Sequence, residues 1–493
     1  MTLFDDRPAT SDEATLARMG YEQELSRSFS PFANYALSFS IICILSGGIT
    51  SFHIGYCALG PAAIGIGWPF AVLFSLAVAA SMAQIASAFP TAGGLYHWGA
   101  LLGGRTFGWV TAWFNLAGLV TALAAINVGT WRFLVSSFLD GNDPGDFVQI
   151  VAVGVITATQ LGINLMGGRV VGGATTFSGY WILGVSILLI VLLLGFGGPV
   201  HPGRLFEFQN FSGLPKGESA VWPITESLSW LFMLSLLLPA YTITGFDGSA
   251  HASEETVDAA RTVPKAILQA VIVSGIAGWI MLCAAVLAID DTHQIACQGE
   301  RAFVAILEES LPDWMHDPCF LMIFLAQYLC GMATVTSASR MTYAFARDGG
   351  LPFSGWLRKV SSRTMVPVNS LVVVCVLSVL FTVYSHVYAT ITAACTILLY
   401  ISYVLPTCAG LVAHGRWWTV MGPWQLGIWF KPLALLGVVG SVGVLVIGIQ
   451  PPSEKAGYVV LAFMAFLLVY WLVHARKHFP GPPVDLKSMQ EGK

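Results

Sequence analysis

The strongest constraint on this chain is a series of apolar runs of about 20 residues, the length a helix needs to cross the hydrocarbon core of a bilayer. Twelve such runs fall near residues 36–60, 64–89, 107–138, 147–166, 174–197, 226–250, 264–289, 319–346, 367–385, 387–411, 432–449 and 456–475. No water reaches backbone N–H and C=O groups inside a bilayer, so a spanning segment must be a helix or part of a closed barrel. These runs are continuously apolar rather than alternating, which selects helices. Composition agrees: 56% of residues are hydrophobic, mean hydropathy is +0.72 and only 10% are charged, against about 25% charged in soluble domains. The 51 glycines and 16 tryptophans suit close helix approach and the headgroup interface.

Two runs are interrupted. The sixth contains Tyr241-Thr242-Ile243-Thr244-Gly245-Phe246-Asp247-Gly248-Ser249-Ala250, a carboxylate and two glycines in an otherwise apolar stretch. An ionisable side chain at depth costs roughly 2.5–3.5 kcal/mol on insertion scales, and freed backbone groups add to this unless protein, ion or water satisfies them. The first run carries a matching flaw, Ser46-Gly47-Gly48-Ile49-Thr50-Ser51-Phe52-His53-Ile54-Gly55, five spans earlier. Paired interruptions at corresponding places in two halves point to a transporter's binding site.

The first 30 residues are polar and acidic, without the basic start and short apolar core of a signal peptide. The expected topology therefore has a cytosolic N-terminus and, with twelve spans, a cytosolic C-terminus. The charges agree with it: Arg105, Arg169, Arg261, Lys265, Arg347, Arg358, Lys359, Arg363, Arg416, Lys431, Arg476 and Lys477 fall in or beside segments expected inside, and Arg132, Arg204, Lys216, Arg301 and Lys455 outside. A formal net charge of -4 with no basic stripe gives no support to nucleic-acid binding. No His-Glu-x-x-His, Cys-x-x-Cys or Gly-x-x-x-x-Gly-Lys pattern occurs, and the intramembrane carboxylates are too few for a paired acid/base site, so the chain does not read as an enzyme. Most of the nine cysteines lie inside spans as small core residues; Cys297 and Cys319 flank an expected external loop and can pair in an oxidising compartment.

Four blocks then carry a resemblance. Gly20-Tyr21-Glu22-Gln23-Glu24-Leu25-Ser26-Arg27-Ser28-Phe29-Ser30 and Phe89-Pro90-Thr91-Ala92-Gly93-Gly94-Leu95-Tyr96 are followed by Thr244-Gly245-Phe246-Asp247-Gly248-Ser249-Ala250-His251 with Glu254, Glu255 and Pro264, and by the stretch from Val335 to Pro352. Together they resemble the amino acid/choline transporter family, which contains GABA permeases, choline permeases and bidirectional amino-acid transporters, within the amino acid-polyamine-organocation superfamily. The likeness runs from about residue 18 to 475. It implies transport of amino acids or related amines such as GABA by alternating access, with the substrate left open. It also implies an all-α integral membrane protein on the leucine-transporter fold, twelve transmembrane helices arranged as a 5+5 inverted repeat with broken helices 1 and 6 plus two extra helices. The boundaries would be a cytoplasmic segment 1–33, a first repeat 34–197, an external loop and second repeat 198–411, spans 11 and 12 in 412–475, and a cytoplasmic tail 476–493.

On that fold the physics of the breaks suits an amphoteric substrate. Where the first span unwinds, expected at Gly47 to Ser51, the amides opening its second half offer a positive helix end to a carboxylate. Gly47, Gly48, Ile49, Thr50 and Ser51 are therefore the carboxylate candidates, with a glycine-rich packing face as the alternative. Tyr241 lies where relatives place an aromatic wall; it, Thr244, Gly245 and Phe246 complete the candidate substrate site, the rings either covering an aliphatic chain, facing an ammonium or simply packing. Asp247 and His53 are the titratable candidates for coupling or gating. No cofactor or metal is implied beyond a coupling ion, H+ or Na+. The fifth span lacks the lysine that some proton-coupled relatives carry, and Thr336 and Ser337 can supply hydroxyls to sodium or hydrogen-bond between helices. Glu254, Glu255, Arg261, Arg340, Arg347 and Asp348 read as an inner gate or as loop ion pairs. Two alternatives stay open: a permease for choline or a polyamine, and a sensor that keeps the fold and transports nothing. The partners implied are a small amino acid or amine and the lipid bilayer of a cell membrane; oligomeric state is open.

Overall fold

The computed structural model describes residues 11–139, 141–217, 220–384, 388–451, 453–484 and 486. Among these, structure is helical, and the only strand-like pairings are the isolated bridges Phe29 with Thr256 and His414 with Trp418. Ten described helices are long and apolar enough to cross a membrane: Pro31–Thr50 (counted across a break), Ala63–Ala88, Arg105–Phe138, Asp146–Leu165, Gly168–Phe196, Ala259–Leu287, Asp313–Arg347, Tyr388–Ala413, Gly427–Gly448 and Glu454–His478. Two shorter apolar helices, Leu228–Thr242 and Val368–Val383, occupy the expected sixth and ninth runs.

The first broken helix starts where Ser30 accepts the Ala33 N–H at 3.1 Å and Pro31 fills the first turn. It runs Pro31–Ile42, unwinds, and resumes as Gly47–Thr50 and Phe52–Leu59. The unwound residues are thus Cys43–Ser46, with Cys43 at φ 23°, whereas Gly47–Thr50 form a helical turn that is interrupted once more at Ser51. Packing gives the reason: a Cβ on Gly47 would lie 2.9 Å from Thr242 Cα. Gly47 is used for close approach of the two broken helices, and the backbone turns before it.

The second broken helix runs Leu228–Ser235 and Leu237–Thr242, unwinds through 243–247, and resumes for one turn at Gly248–His251. Gly245 supplies the turn with φ +84°. The tail-side halves of the two broken helices are stitched together: Ser38 donates to Phe246 O at 2.8 Å, and Asn34 Nδ2 donates to Ser249 O at 3.0 Å and to Thr256 Oγ1 at 2.8 Å.

Around the breaks, Arg105–Phe138 packs along Tyr388–Ala413 and Asp313–Arg347, while Ala259–Leu287 lies against Trp68–Ala88 and Pro31–Ile42. Peripheral helices expose apolar side chains such as Val155, Val191, Val439 and Leu461, as a lipid-facing belt requires. The described parts of the two tails meet at one end of the bundle, where Phe479 packs on Tyr96 and Phe345 and Gly20 lies against Pro483. Residues 1–10 and 487–493 of the expected tails lie outside the described residues. All nine cysteines are free; Cys297 is exposed and Cys319 buried, so the pairing considered from the sequence is not formed.

Candidate functional site

The two breaks face each other across a cavity of about 20 Å³, room for a single water. Its wall comes from Ile41, Ile42, Ser46 and Gly47 of the first broken helix and Tyr241, Thr242, Thr244 and Gly245 of the second. Leu119, Ala122 and Ile126 of Arg105–Phe138, Cys330 of Asp313–Arg347, and Cys395 and Leu399 of Tyr388–Ala413 close it. Among the described residues no charged side chain lines this space. Tyr241 also lines a second cavity of about 610 Å³, with His53, Trp222, Gln298, Glu300 and Thr392, at the end away from the tails. The Tyr241 side chain therefore stands between an outer vestibule and the central cavity.

The candidates at the first break are spread over several neighbours. Gly47 lines the central cavity, whereas a Cβ on Gly48 would face Leu282 and Met281 of Ala259–Leu287 at 3.9–4.0 Å. Ile49 and Thr50 line a separate small cavity with Arg132, Glu300 and Tyr388. Thr50 Oγ1 lies 2.6 Å and Ser51 Oγ 3.3 Å from Tyr388 Oη, so both hydroxyls are engaged by the Tyr388–Ala413 helix. His53 is buried in the vestibule wall. At the second break, Thr244 donates to Tyr241 O at 2.8 Å, Gly245 N–H donates to Tyr403 Oη at 3.0 Å, and Phe246 packs on the Tyr403 ring at 4.7 Å between centroids. Thr336 donates to Asn164 Oδ1 at 2.7 Å, while Ser337 lies beside Gly248 with its hydroxyl unpartnered among the described residues. These two adjacent residues face different neighbours and do not converge on one point.

Asp247 is fully buried outside the cavity wall. Its Oδ1 accepts the Tyr403 hydroxyl at 2.8 Å, and its Oδ2 accepts Asn115 Nδ2 at 2.8 Å and lies 3.1 Å from His251 Nε2. Asn115 and Tyr403 are not among the residues read from the sequence, and His251 enters there only as the end of the Thr244–His251 block. A signal existed for each: Asn115 and Tyr403 are polar groups inside apolar runs, and His251 falls one turn after Asp247 on the same helix.

The tail-side end is closed by buried charge pairs. Arg340 Nε lies 2.7 Å from Glu255 Oε1, both side chains having no exposed surface. Arg347 grips Glu254 through two nitrogens at 2.9 and 3.0 Å and stacks over the Tyr21 ring at 3.8 Å. Asp348 Oδ2 accepts the hydroxyls of Tyr21 at 2.7 Å and Tyr96 at 2.8 Å and meets His97 Nε2 at 3.1 Å. Burial pushes the Glu254 carboxyl up, but the Arg347 guanidinium and its hydrogen bonds, with the Ala92 N–H, outweigh it and hold the group below its ordinary value. Asp12 caps Ala259–Leu287 by accepting the Asp258 and Ala259 N–H groups at 2.8 and 3.1 Å. Of the six residues grouped from the sequence, Arg261 stands apart, in an exposed 3.6 Å pair with Asp258.

The sequence that builds this site has counterparts among known proteins. The family model described as amino acid permease matches residues 29–473. The chain is 32% identical to amino-acid permease BAT1 of Arabidopsis thaliana, over 97% of each chain. It is 28% identical to the GABA-specific permease of Saccharomyces cerevisiae, over 98% of this chain and 88% of that protein, and 26% identical to a putative polyamine transporter of Candida albicans, over 99% and 92%. Matched over most of its length by the family and by relatives of nearly its full length, this multi-pass membrane chain belongs to the amino acid permease family, a family of transporters rather than enzymes.

Proposed function

We propose that the chain carries neutral amino acids or closely related amines, GABA among them, across a cell membrane by alternating access around the cavity between its two helix breaks. The observation that carries this reading is the wall of that cavity, which offers apolar groups, hydroxyls and helix-break backbone but no charged side chain among the described residues. A zwitterion suits such a wall, because its carboxylate can be met by the Gly48 and Ile49 amides of the Gly47–Thr50 turn, the Gly47 N–H being given to Cys43 O at 3.1 Å. A choline or polyamine cation is disfavoured: the nearby Asp247 carboxylate is already engaged by Asn115, Tyr403 and His251. Twelve spans in two inverted five-helix repeats plus two extra helices, with both termini cytosolic, is the arrangement we assign.

The cavity of about 20 Å³ is too small for any amino acid, so this conformation is a closed one with its vestibule on the side away from the tails. Loading requires Tyr241 to swing out of the wall it shares between the two spaces. Asp247, His53, Thr336 and Ser337 are assigned to coupling or gating, with a proton as the favoured ion because Thr336 and Ser337 face different neighbours and do not converge on a cation site. The test is uptake of labelled GABA and alanine into proteoliposomes, competed by neutral and basic amino acids, choline and putrescine. Neutral amino acids or GABA should compete best; dominance by choline or putrescine would overturn the substrate reading, and binding without label movement would make the chain a sensor.

A further inference from the structure

We infer that Asp247 and His251 together hold one exchangeable proton, and that this shared proton keeps the tail-side end of the carrier closed. The inference deepens the transport reading above and rests on it for its biological sense, but its argument is a count of hydrogen-bond donors. His251 Nδ1 lies 3.2 Å from the Ala92 carbonyl oxygen. A carbonyl can only accept, so Nδ1 carries a hydrogen. The other ring nitrogen, Nε2, lies 3.1 Å from Asp247 Oδ2.

The remaining contacts of the carboxylate are fixed independently. Ser402 donates its hydroxyl hydrogen to Leu399 O at 2.7 Å, so its oxygen accepts from Asn115 at 3.3 Å and the Asn115 amide must turn its NH2 this way. The same NH2 donates to Asp247 Oδ2 at 2.8 Å. Tyr403 takes the Gly245 N–H at 3.0 Å and gives its own hydrogen to Oδ1 at 2.8 Å. With an ionised Asp247 and a neutral His251, two lone pairs would then oppose each other at 3.1 Å in a place where neither side chain has exposed surface. One further proton belongs in that gap, as imidazolium against carboxylate or as carboxylic acid against imidazole. In both forms the pair is neutral and has one proton to lose, and the titration belongs to the pair rather than to either residue.

What the proton holds together follows from where the two residues are anchored. Asp247 ends the second break, and His251, one turn on, reaches across to Ala92 in the segment between Trp68–Ala88 and Leu95–Gly103. Ala92 N–H in turn donates to Glu254, the partner of Arg347 in the closed end. The other elements packed around the pair present Tyr403 and Cys395 from Tyr388–Ala413, Asn115 from Arg105–Phe138, Ser337 from Asp313–Arg347 and Ser38 from Pro31–Ile42. Release of H+ to water on the tail side leaves a buried anion facing a lone pair, which favours separation of His251 from the break and loosens the contacts that seal this end. Uptake of H+ restores the closed form.

The test uses the full-length protein in detergent, without substrate, so that its failure is separate from any failure of the uptake assay. In a Cys297→Ser background, Leu25→Cys places a thiol on a buried residue of the tail-side end. Its maleimide labelling, corrected for pH with a free thiol and for the same background without Leu25→Cys, should rise about fivefold or more between about pH 6 and about pH 9. In Asp247→Asn, which keeps the shape of the side chain but cannot titrate, the rate should lose its dependence on pH. In His251→Gln it should lose its pH dependence. Should His251→Gln fail to give monodisperse protein, the shape-preserving Asp247→Asn carries the test. A His251→Gln or Asp247→Asn protein that follows the wild-type pH curve, or a wild-type rate flat with pH, overturns the inference.

Discussion

Gly245 is the residue where the second break is least negotiable. It holds φ +84°, and a Cβ there would sit 2.1 Å from Ile41 Cγ2 of the first broken helix. Gly245→Ala should therefore destabilise by about 2 kcal/mol or more and abolish uptake, read as a fall in melting temperature in detergent. Gly48→Ala, whose new methyl would come no closer than 3.9 Å to Leu282, should stay within about 1 kcal/mol of the parent; the reverse order would place the tight contact at the wrong break. Both glycines stand out in the sequence as interruptions, yet the sequence carries no azimuth, so it could not say that Gly47 faces Thr242 and Gly48 faces Leu282. Tyr241 is the complementary case, a large side chain serving as a wall. Tyr241→Ala should join the vestibule to the central cavity and let a small thiol reagent reach Cys395, which lines it. Protection of Cys395 in that variant, judged by mass spectrometry after labelling, would mean that another side chain closes the passage.

The elements that seal the tail-side end are joined by side chains from distant parts of the chain, and this is where the sequence was least readable. Long apolar helices declare themselves by length and hydropathy, so every expected run has its helix. The pairing of Arg340 with Glu255 and of Arg347 with Glu254 depends instead on how the end of Asp313–Arg347 meets the short turn Ser253–Glu255, which no local pattern encodes. The unwound residues of the first helix were misplaced for the same reason: glycines mark either a bend or a close approach, and only tertiary packing decides. Because Arg340 and Glu255 have no exposed surface, removing one alone strands a charge and should cost about 3–5 kcal/mol, whereas Arg340→Met with Glu255→Leu should recover most of that loss; a double-mutant cycle in thermal unfolding measures it, and additive losses would mean the two do not act as a pair. Glu254 gives the pH counterpart. Its folded value lies below the ordinary one, so its contribution is complete above the unfolded value of roughly 4.3 and disappears as pH falls through the depressed folded value. Stability measured from pH 6 downward should therefore decline below about pH 4, less steeply in Glu254→Gln, and an identical acid profile for the variant would remove this carboxylate from the closed end.

For the molecule as a whole, an even or odd number of crossings decides whether the two ends face the same compartment. The described tails meet at one end, so tags at the two termini should be reachable from the same side of a sealed vesicle, and a cysteine placed near Gly213 only from the opposite side. Terminal tags on opposite faces would refute the twelve-span count. The charge bias along the sequence makes the same prediction, since loop charge acts locally and needs no knowledge of packing. The sealed end has one more consequence. While Arg340, Glu255, Arg347 and Glu254 stay buried against one another, dissolved ions cannot screen them; once this end parts, the separated charges enter an electrolyte whose Debye length is about 8 Å at physiological strength. Salt on that side therefore favours the parted form without touching the closed one. Where parting of this end limits turnover, the carrier runs faster as the salinity of the compartment its tails face rises, so its rate reports the ionic composition of that compartment as well as the supply of its cargo.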